Sequence, residues 1–323
     1  MSGRKTSKQA GRGGQAAPFS RLVFPPVRDP GGAVNAGLFR QEKNMVTLEQ
    51  CERMWAEAGQ HGAPEERIER AKAWLPYYAY LAGPMKSMPV RQPEDEDGFP
   101  AVLIREGMVR PEDSVLDIGA GMGGDSLCFA AHCRSVTALE LSGDCLEVLG
   151  RRAEGLGIKN IKTIQLPWEE YLPTERFDVC YSSMCTAICS VEELRRMESL
   201  AERLCCLVTV MRGSYDKQRK TMMSDLGIKP KGGMVTELIH YFNALYLMGR
   251  QPNVLCRTAH REYDVPVEKL LEQYPIYFKI FGVKEEVSVS FLRDYLDRHA
   301  ENGLLHEESH INFAMITWRP SEA

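Results

Sequence analysis

Val115-Leu-Asp-Ile-Gly-Ala-Gly-Met-Gly-Gly-Asp-Ser126 is the stretch of sequence that decides the fold. A short apolar run, typical of a buried strand, is followed by glycines at positions 119, 121, 123 and 124 and then by a helix-like segment. Glycine lets the backbone turn tightly and approach a ligand closely. A helix start offers unpaired N–H groups and the positive end of a dipole. The stretch therefore predicts a loop that binds a carboxylate or a phosphate.

On both sides of this loop, short apolar runs alternate with helix-like segments. Because parallel strands need a crossover connection, this alternation predicts an α/β fold with a doubly wound, mostly parallel sheet. Strands are predicted at 114–118, 135–139, 161–165, 177–181, 206–211 and 311–318, and residues 261–265 are also strand-like. Helices are predicted at 100–108, 124–132, 143–156, 191–203, 214–227, 234–249, 265–281 and 287–300.

The segment before residue 100 has a different composition. Residues 1–35 begin with a basic, glycine-rich stretch that predicts a disordered tail, although a transit peptide or a nucleic-acid-binding arm remain alternatives. Residues 36–99 predict a helical cap, with helices at 46–59 and 64–82 and a loop at 83–98 that contains an acidic run. Pro76 is expected to bend or end the second helix. We expect an aromatic cluster there to serve as a lid; its members are Trp74, Tyr77, Tyr78 and Tyr80.

Composition excludes several classes of protein. The 323 residues carry a net charge of −4, which gives no electrostatic reason to bind nucleic acid or an anionic membrane. No apolar run reaches the roughly 18 residues of a membrane span, and no secretory signal is present. The ten cysteines include no Cys-x-x-Cys pair. A reduced, cytoplasmic protein is therefore expected.

Two acidic residues frame the predicted loop. Glu140 lies 21 residues beyond Gly119 at the end of the second strand, where a carboxylate can bind the ribose hydroxyls of an adenosine. That need is common to NAD and S-adenosylmethionine, and the glycine spacing also fits a dinucleotide fingerprint. Asp117 favours S-adenosylmethionine, because a phosphate repels a nearby anion whereas an ammonium and a sulfonium tolerate it. Alternatively, Asp117 has a structural role and holds the backbone of the loop in place.

These residues resemble a known family. Residues 115–123 resemble motif I of the class I S-adenosylmethionine-dependent methyltransferases, and Glu140 resembles the acid of their motif II. The segments at 166–169 and 177–183 resemble their adenine-side loop and fourth strand, and 312–318 resembles their antiparallel seventh strand. The resemblance implies a seven-stranded methyltransferase domain at 100–323, with a substrate-side insertion at about 212–283.

The same resemblance implies S-adenosylmethionine as cofactor and assigns its contacts. Gly119 and Gly121 would contact the methionine part, and Glu140 would hold the ribose. Trp168 and Glu169 would border the adenine, although Trp168 fits ordinary core equally well. The predicted cofactor-binding residues are Asp117, Gly119, Ala120, Gly121, Glu140, Leu141, Trp168, Glu169, Ser182 and Ser183.

The acceptor half of the sequence is less informative. The Asp/Asn-Pro-Pro-Tyr/Phe motif is absent at 182–186, which disfavours methylation of DNA amino groups and glutamine amides by that motif. A small-molecule acceptor is expected, with a protein acceptor as an alternative and nucleic acid disfavoured. His240 and Tyr241 are the candidate catalytic residues, with His240 as a general base, although a core position is the competing interpretation.

Three further interpretations remain open. Cys180, Cys185 and Cys189 are expected to be structural, with a metal site or a redox-sensitive pocket as alternatives, and no metal is predicted. The two alternatives to methyl transfer are an NAD-dependent oxidoreductase that uses the same loop and a non-catalytic protein that binds the cofactor. The sequence does not indicate the oligomeric state.

Overall fold

The glycine loop begins where strand β1 (Ser114–Ile118) ends, and β1 lies inside an eight-stranded sheet. The structure is a computed structural model that describes residues 46–57, 62–90, 98–228 and 236–321. The other strands are β2 (Ser135–Glu140), β3 (Ile161–Gln165), β4 (Phe177–Ser183), β5 (Ala201–Val210), β6 (Tyr215–Asp216), β7 (Asn253–Pro266) and β8 (Leu304–Trp318).

The sheet is parallel from β3 through β2, β1 and β4 to β5, and β8 joins β5 as an antiparallel strand. Residues 313–318 of β8 pair with β5, residues 309–310 pair with β6, and residues 304–317 pair with β7 on the opposite edge. The predicted α/β fold and the antiparallel final strand are confirmed. The eighth strand is the two-residue β6. It pairs with β8 on the same side as β5 does, next to the residues that pair with β5.

Helices cover both faces of this sheet. They are α1 (Leu48–Trp55), α2 (Pro64–Lys72), α3 (Leu75–Met85), α4 (Phe99–Arg105), α5 (Gly124–Ala130), α6 (Gly143–Gly155), α7 (Val191–Leu200), α8 (Lys217–Asp225), α9 (Leu238–Leu247), α10 (Val267–Lys279) and α11 (Glu285–His299). Leu116 and Ile118 face a core shared with α1, α7 and α9, whereas Val115 faces a core shared with α4 and α5. This two-sided packing makes the sheet doubly wound.

A third core lies beside the sheet. It joins α3, α8, α10 and α11 to the start of β8, and its largest side chains are Tyr77, Tyr274, Tyr277, Phe278 and Tyr295. Leu305 anchors β8 in this core. The arrangement holds α3 beside the carboxyl ends of the central strands.

Several predicted boundaries differ from the structure. The helix predicted at 64–82 is two helices, because Pro76 clashes with the carbonyl of Lys72, where α2 ends. The helix predicted at 191–203 ends at Leu200, and β5 starts at Ala201 rather than 206, since Ala201 pairs with Phe177 of β4. The predicted insertion at 212–283 contributes β7 to the sheet, and β7 was predicted only at 261–265.

Some predictions concern residues outside the described ranges. The basic tail at 1–35 and the acidic run at 94–97 both lie there, as does the start of the predicted cap. Within the described ranges, no helix is long and apolar enough to cross a membrane. All ten cysteines are free.

Candidate functional site

A cavity of about 1120 Å³ opens at the carboxyl ends of β1, β2 and β4. Ligands bind at this edge of open α/β sheets, because neighbouring loops diverge there. The glycine loop forms its floor, and α2 and α3 form a roof over it. Nine of the ten predicted cofactor residues line the cavity: Asp117, Gly119, Ala120, Gly121, Glu140, Leu141, Trp168, Glu169 and Ser183.

The two central glycines have different physical roles. Both have left-handed backbone angles, with φ of 76° at Gly119 and 53° at Gly121. A Cβ added to Gly121 would meet no atom within 4 Å, so the backbone there borders open space in the cavity. A Cβ on Gly119 would collide with the side chain of Cys185. Gly121 therefore leaves room for a ligand, whereas Gly119 leaves room for Cys185.

Glu140 joins the glycine loop to the start of α6. Its Oε2 accepts a hydrogen bond of 2.8 Å from the backbone N–H of Gly121, and its Oε1 accepts one of 2.8 Å from the N–H of Ser142. A carboxylate oxygen can accept two hydrogen bonds. Each oxygen therefore keeps acceptor capacity for a ligand hydroxyl, while the backbone bonds fix the orientation of the carboxylate.

Asp117 is buried at the end of β1, with only 2% of its surface exposed. The hydroxyl of Ser126 donates a hydrogen bond of 2.5 Å to its Oδ2. Burial, together with the nearby carboxylates of Asp125 and Glu140, raises the pKa of Asp117 to about 8. A cationic ligand group in the cavity would favour the ionised form. The position thus suits a ligand that brings positive charge.

Trp168 and Glu169 are held by a network that the sequence did not indicate. Glu169 accepts a hydrogen bond of 3.0 Å from Nε of Arg67, whose Nη2 lies 2.6 Å from Oε1 of the buried Glu193. The indole N–H of Trp168 also donates to Glu193. The guanidinium of Arg196 lies 4.1 Å from the centre of the indole ring. Trp168 is therefore mainly a core residue that borders the cavity.

Three predicted site residues do not line the cavity. Ser182 is buried, and its hydroxyl donates to the carbonyl of Ile118, because successive strand residues point to opposite faces and only Ser183 faces the cavity. His240 stacks on Trp55, with ring centres 6.0 Å apart. Tyr241 is buried and donates its hydroxyl to the carbonyl of Ile188. Neither His240 nor Tyr241 is among the described residues that line the cavity.

The structure adds wall residues that sequence reasoning missed. Three of them, Arg67, Arg70 and Leu75, belong to the roof. Trp74 and Tyr78 of the predicted lid cluster line the cavity beside them. Ile228, Ile280, Phe281 and Val283 close the far end. Cys185 and Cys189 also line the cavity, and burial raises the pKa of the Cys185 thiol to about 12 and that of Cys189 to about 11. Both are therefore neutral thiols at physiological pH.

The strand that separates β5 from β7 is decisive for the cofactor. In the dinucleotide-binding fold the strand order is 3-2-1-4-5-6, with no antiparallel strand between the last two. Here the antiparallel β8 lies between β5 and β7, beside a glycine loop with a buried acid. Residues 115–205 match the family model described as a methyltransferase domain. The chain thus contains a methyltransferase domain of the S-adenosylmethionine-dependent type.

Solved structures similar to this methyltransferase include three proteins of low sequence identity. The YcgJ protein from Bacillus subtilis is 16% identical, with 69% of this chain and 98% of that chain covered and a TM-score of 0.46. A putative methyltransferase from Bacillus halodurans C-125 is 15% identical, with coverage of 69% and 99% and a TM-score of 0.47. DhpI in complex with SAH is 14% identical, with coverage of 78% and 98% and a TM-score of 0.42. No curated protein matches the chain.

S-adenosylmethionine is the cofactor of this methyltransferase, and the cavity fits it. The space beside Gly121 is open, and a side chain at this position would occupy it. The oriented Glu140 and the buried Asp117 match a ribose and a cationic group, respectively. Together with the methyltransferase domain, these features favour methyl transfer over the two alternatives that the sequence had left open.

Proposed function

We propose that this enzyme transfers a methyl group to a small, largely apolar molecule that binds under the roof of the cavity. The observation that carries the proposal is the size of the site. Pockets for a single small ligand span about 300–1,000 Å³. The cavity of about 1120 Å³ exceeds that range, so it has room for a cofactor together with a small acceptor.

We further propose how the two ligands divide the cavity. The cofactor would lie over the glycine loop, with Gly121 at its methionine part, Glu140 at its ribose and Glu169 beside its adenine. Ser183 and Cys185 lie between this end and the apolar far wall. The acceptor would then bind against Trp74, Tyr78 and the segment around Phe281, and α1–α3 would act as a cap.

The protein's own part in such a reaction is chiefly positioning. S-adenosylmethionine supplies an activated methyl group on a sulfonium, so the site must align a nucleophile with it and exclude water. In this proposal the roof would limit the access of water, because Arg67 of α2 joins the loop after β3 through Glu169 and α7 through Glu193. Among the described residues that line the cavity there is no histidine or lysine.

This lining bears on the acceptor. General-base catalysis needs a group with a pKa near the working pH. The thiols of Cys185 and Cys189 have raised pKa values, and Asp117 lies buried beneath the glycine loop. The proposed acceptor is therefore a molecule whose reactive atom carries a lone pair at neutral pH without the help of a base.

A fractionation experiment tests the proposal. The enzyme is incubated with methyl-labelled S-adenosylmethionine and a cell extract separated by size into small molecules and proteins. We expect labelled product in the small-molecule fraction, at a rate that Glu140→Gln reduces. Label confined to the protein fraction would favour the alternative of a protein acceptor. No label in either fraction, despite cofactor binding, would overturn the proposal.

A further inference from the structure

We propose that the acceptor is an amine, and that its nitrogen binds in a corner formed by the aromatic rings of Trp74, Tyr78 and Phe281. This inference rests on the proposed function, because it names the chemical class of the acceptor in the same cavity. Its basis is the geometry of the three rings together with the charge of the residues around them.

Trp74 contacts both of the other rings. It lies just before α3 and stacks with Tyr78 of α3, with ring centres 6.0 Å apart and planes inclined by 26°. The ring of Phe281, just beyond α10, stands nearly perpendicular to Trp74, at 6.3 Å and 83°. All three residues line the cavity. A group in this corner thus meets aromatic rings from two directions.

Aromatic faces attract cations, because the ring quadrupole places negative charge on the face. Trp74 is held in place by Tyr77 and Tyr277, whose rings lie 6.1 Å and 6.0 Å from it in edge-on contact. The corner is therefore supported from behind by the third core rather than formed by loose side chains. Such a fixed aromatic surface suits a methylated or tertiary ammonium group.

The charges that line the cavity favour the same ligand. Four acidic residues line it, and three of them, Asp125, Glu140 and Glu169, remain when Asp117 is left out because its pKa is raised to about 8. Of the two arginines in the described lining, Arg67 is bound to Glu169 and to the buried Glu193, and Arg70 is exposed at the rim. An anionic acceptor would meet more negative than positive charge there. A cationic product would gain from both the carboxylates and the rings.

The reaction itself produces the cation that the corner favours. The lone pair of the amine nitrogen forms the new N–C bond while the S–C bond of the donor breaks, and its electron pair stays on sulfur. The nitrogen gains the positive charge that the sulfur loses, and a primary or secondary amine then releases one proton to solvent. The amine reacts in its unprotonated form, which arises in solution by loss of a proton to water before binding, so a tertiary amine needs no base in the cavity. The rings would therefore stabilise charge that grows in the transition state.

A matched series of probes tests the inference on enzyme saturated with S-adenosylhomocysteine. Choline, 3,3-dimethylbutan-1-ol and 3,3-dimethylbutanoate share nearly the same head group but carry positive, no and negative charge. Their dissociation constants are measured by ligand-observed NMR. We expect choline to bind about tenfold more tightly than the neutral alcohol and the anion to bind most weakly. Equal binding of choline and the alcohol would overturn the inference.

Variants locate the preference at the corner. Trp74→Leu and Tyr78→Leu should abolish the difference between choline and the alcohol, whereas Tyr246→Leu, at an exposed position of α9 away from the cavity, should preserve it. Trp74 also packs against the third core, so the thermal midpoint of each variant is measured. Tyr78, which is 37% exposed, provides the second variant if Trp74→Leu does not fold.

Two further readouts separate this inference from its rivals. If the corner served only the sulfonium of the cofactor, Tyr78→Leu would weaken the binding of S-adenosylmethionine but not that of S-adenosylhomocysteine. Choline binding would stay unchanged. That result would contradict an amine acceptor. Failure of S-adenosylhomocysteine to bind the unmodified enzyme would instead contradict the proposed function. Cofactor binding without a preference for choline would refute the amine alone.

Discussion

Arg67 and Glu169 form an ion pair across one side of the cavity, with Nε of the arginine 3.0 Å from Oε1 of the glutamate. The same guanidinium also contacts the buried Glu193. The contact connects the roof helix α2 to the loop after β3, although the two residues are separated by 102 positions in the sequence. It fixes the height of the roof over the proposed adenine end of the site.

Replacement of Arg67 by glutamine should therefore loosen the roof. The variant removes the charged partner of Glu169 and one of the partners of the buried Glu193, which keeps Trp168 and Arg196, and a lost hydrogen bond to a charged group costs about 1.5–3 kcal/mol. We expect a lower free energy of unfolding in urea and weaker binding of S-adenosylhomocysteine. Lys72→Gln is the matched control, because it removes an exposed ion pair with Glu69 on the same helix and should leave the unfolding midpoint unchanged. Equal behaviour of the two variants would contradict this role of Arg67.

The raised pKa of Asp117 makes the stability of the ligand-free enzyme depend on pH. The folded protein holds the proton up to a pKa of about 8, whereas the unfolded chain releases it near 4. The resulting stabilisation is complete below pH 4 and is lost as the pH rises toward 8, by at most about 1.4 kcal/mol for each pH unit. Urea unfolding from pH 5 to 8.5 should show a decline that is shallower in Asp117→Asn. The same slope in both proteins would mean that Asp117 is ionised throughout.

Gly121 and Gly249 form a matched pair for testing the glycine loop. Both have left-handed backbone angles, and a Cβ on either would meet no atom within 4 Å. Only Gly121 lines the cavity. Alanine at either position should cost about 1–2 kcal/mol of stability, because the left-handed conformation disfavours a side chain. Calorimetry should show weaker S-adenosylhomocysteine binding for Gly121→Ala alone. A parallel loss in Gly249→Ala would attribute the effect to backbone strain.

His240→Ala should retain methyl transfer. The imidazole stacks on Trp55 outside the cavity lining, and burial lowers its pKa, so the ring is neutral and serves packing. With the methyl-accepting fraction as substrate, we expect kcat and KM to stay within about twofold of the unmodified enzyme, a difference of about 0.4 kcal/mol. A large fall in kcat with unchanged cofactor binding would restore His240 as a general base.

The central sheet was predictable because burial and secondary structure coincide there. β1 has the predicted bounds, since the buried run 115–118 is flanked by turn residues and loops, and β3 has them too although none of its residues is fully buried. β7 was largely missed, because Asn253–Pro266 is an edge strand with polar residues such as His260 and Glu262 on exposed surfaces. Without a buried face, a strand leaves little hydrophobic pattern in the sequence.

The cofactor end of the site was predictable for a related reason. The glycine loop follows β1 and Glu140 ends β2, and these two strands are parallel neighbours. Their positions in the sequence therefore predict that they lie close together. The acceptor end unites Trp74, Ile228 and Phe281, which come from three separate segments. Their convergence depends on the third core, and no local pattern encodes it. Ser182 was predicted to line the cavity, but only its neighbour Ser183 does. Adjacent residues of a strand point to opposite faces, so an error of one position exchanges the two.

The most direct test of the account is a calorimetric titration of ligand-free enzyme with S-adenosylhomocysteine. Both oxygens of Glu140 are fixed by backbone N–H groups beside the glycine loop, so Glu140→Gln should weaken binding by at least about tenfold, or 1.4 kcal/mol. Glu147→Gln is the control, since this residue lies on α6, 64% exposed and outside the cavity lining. We expect one binding site per chain, with affinity reduced only in Glu140→Gln. No binding, or equal binding by all three proteins, would contradict the account.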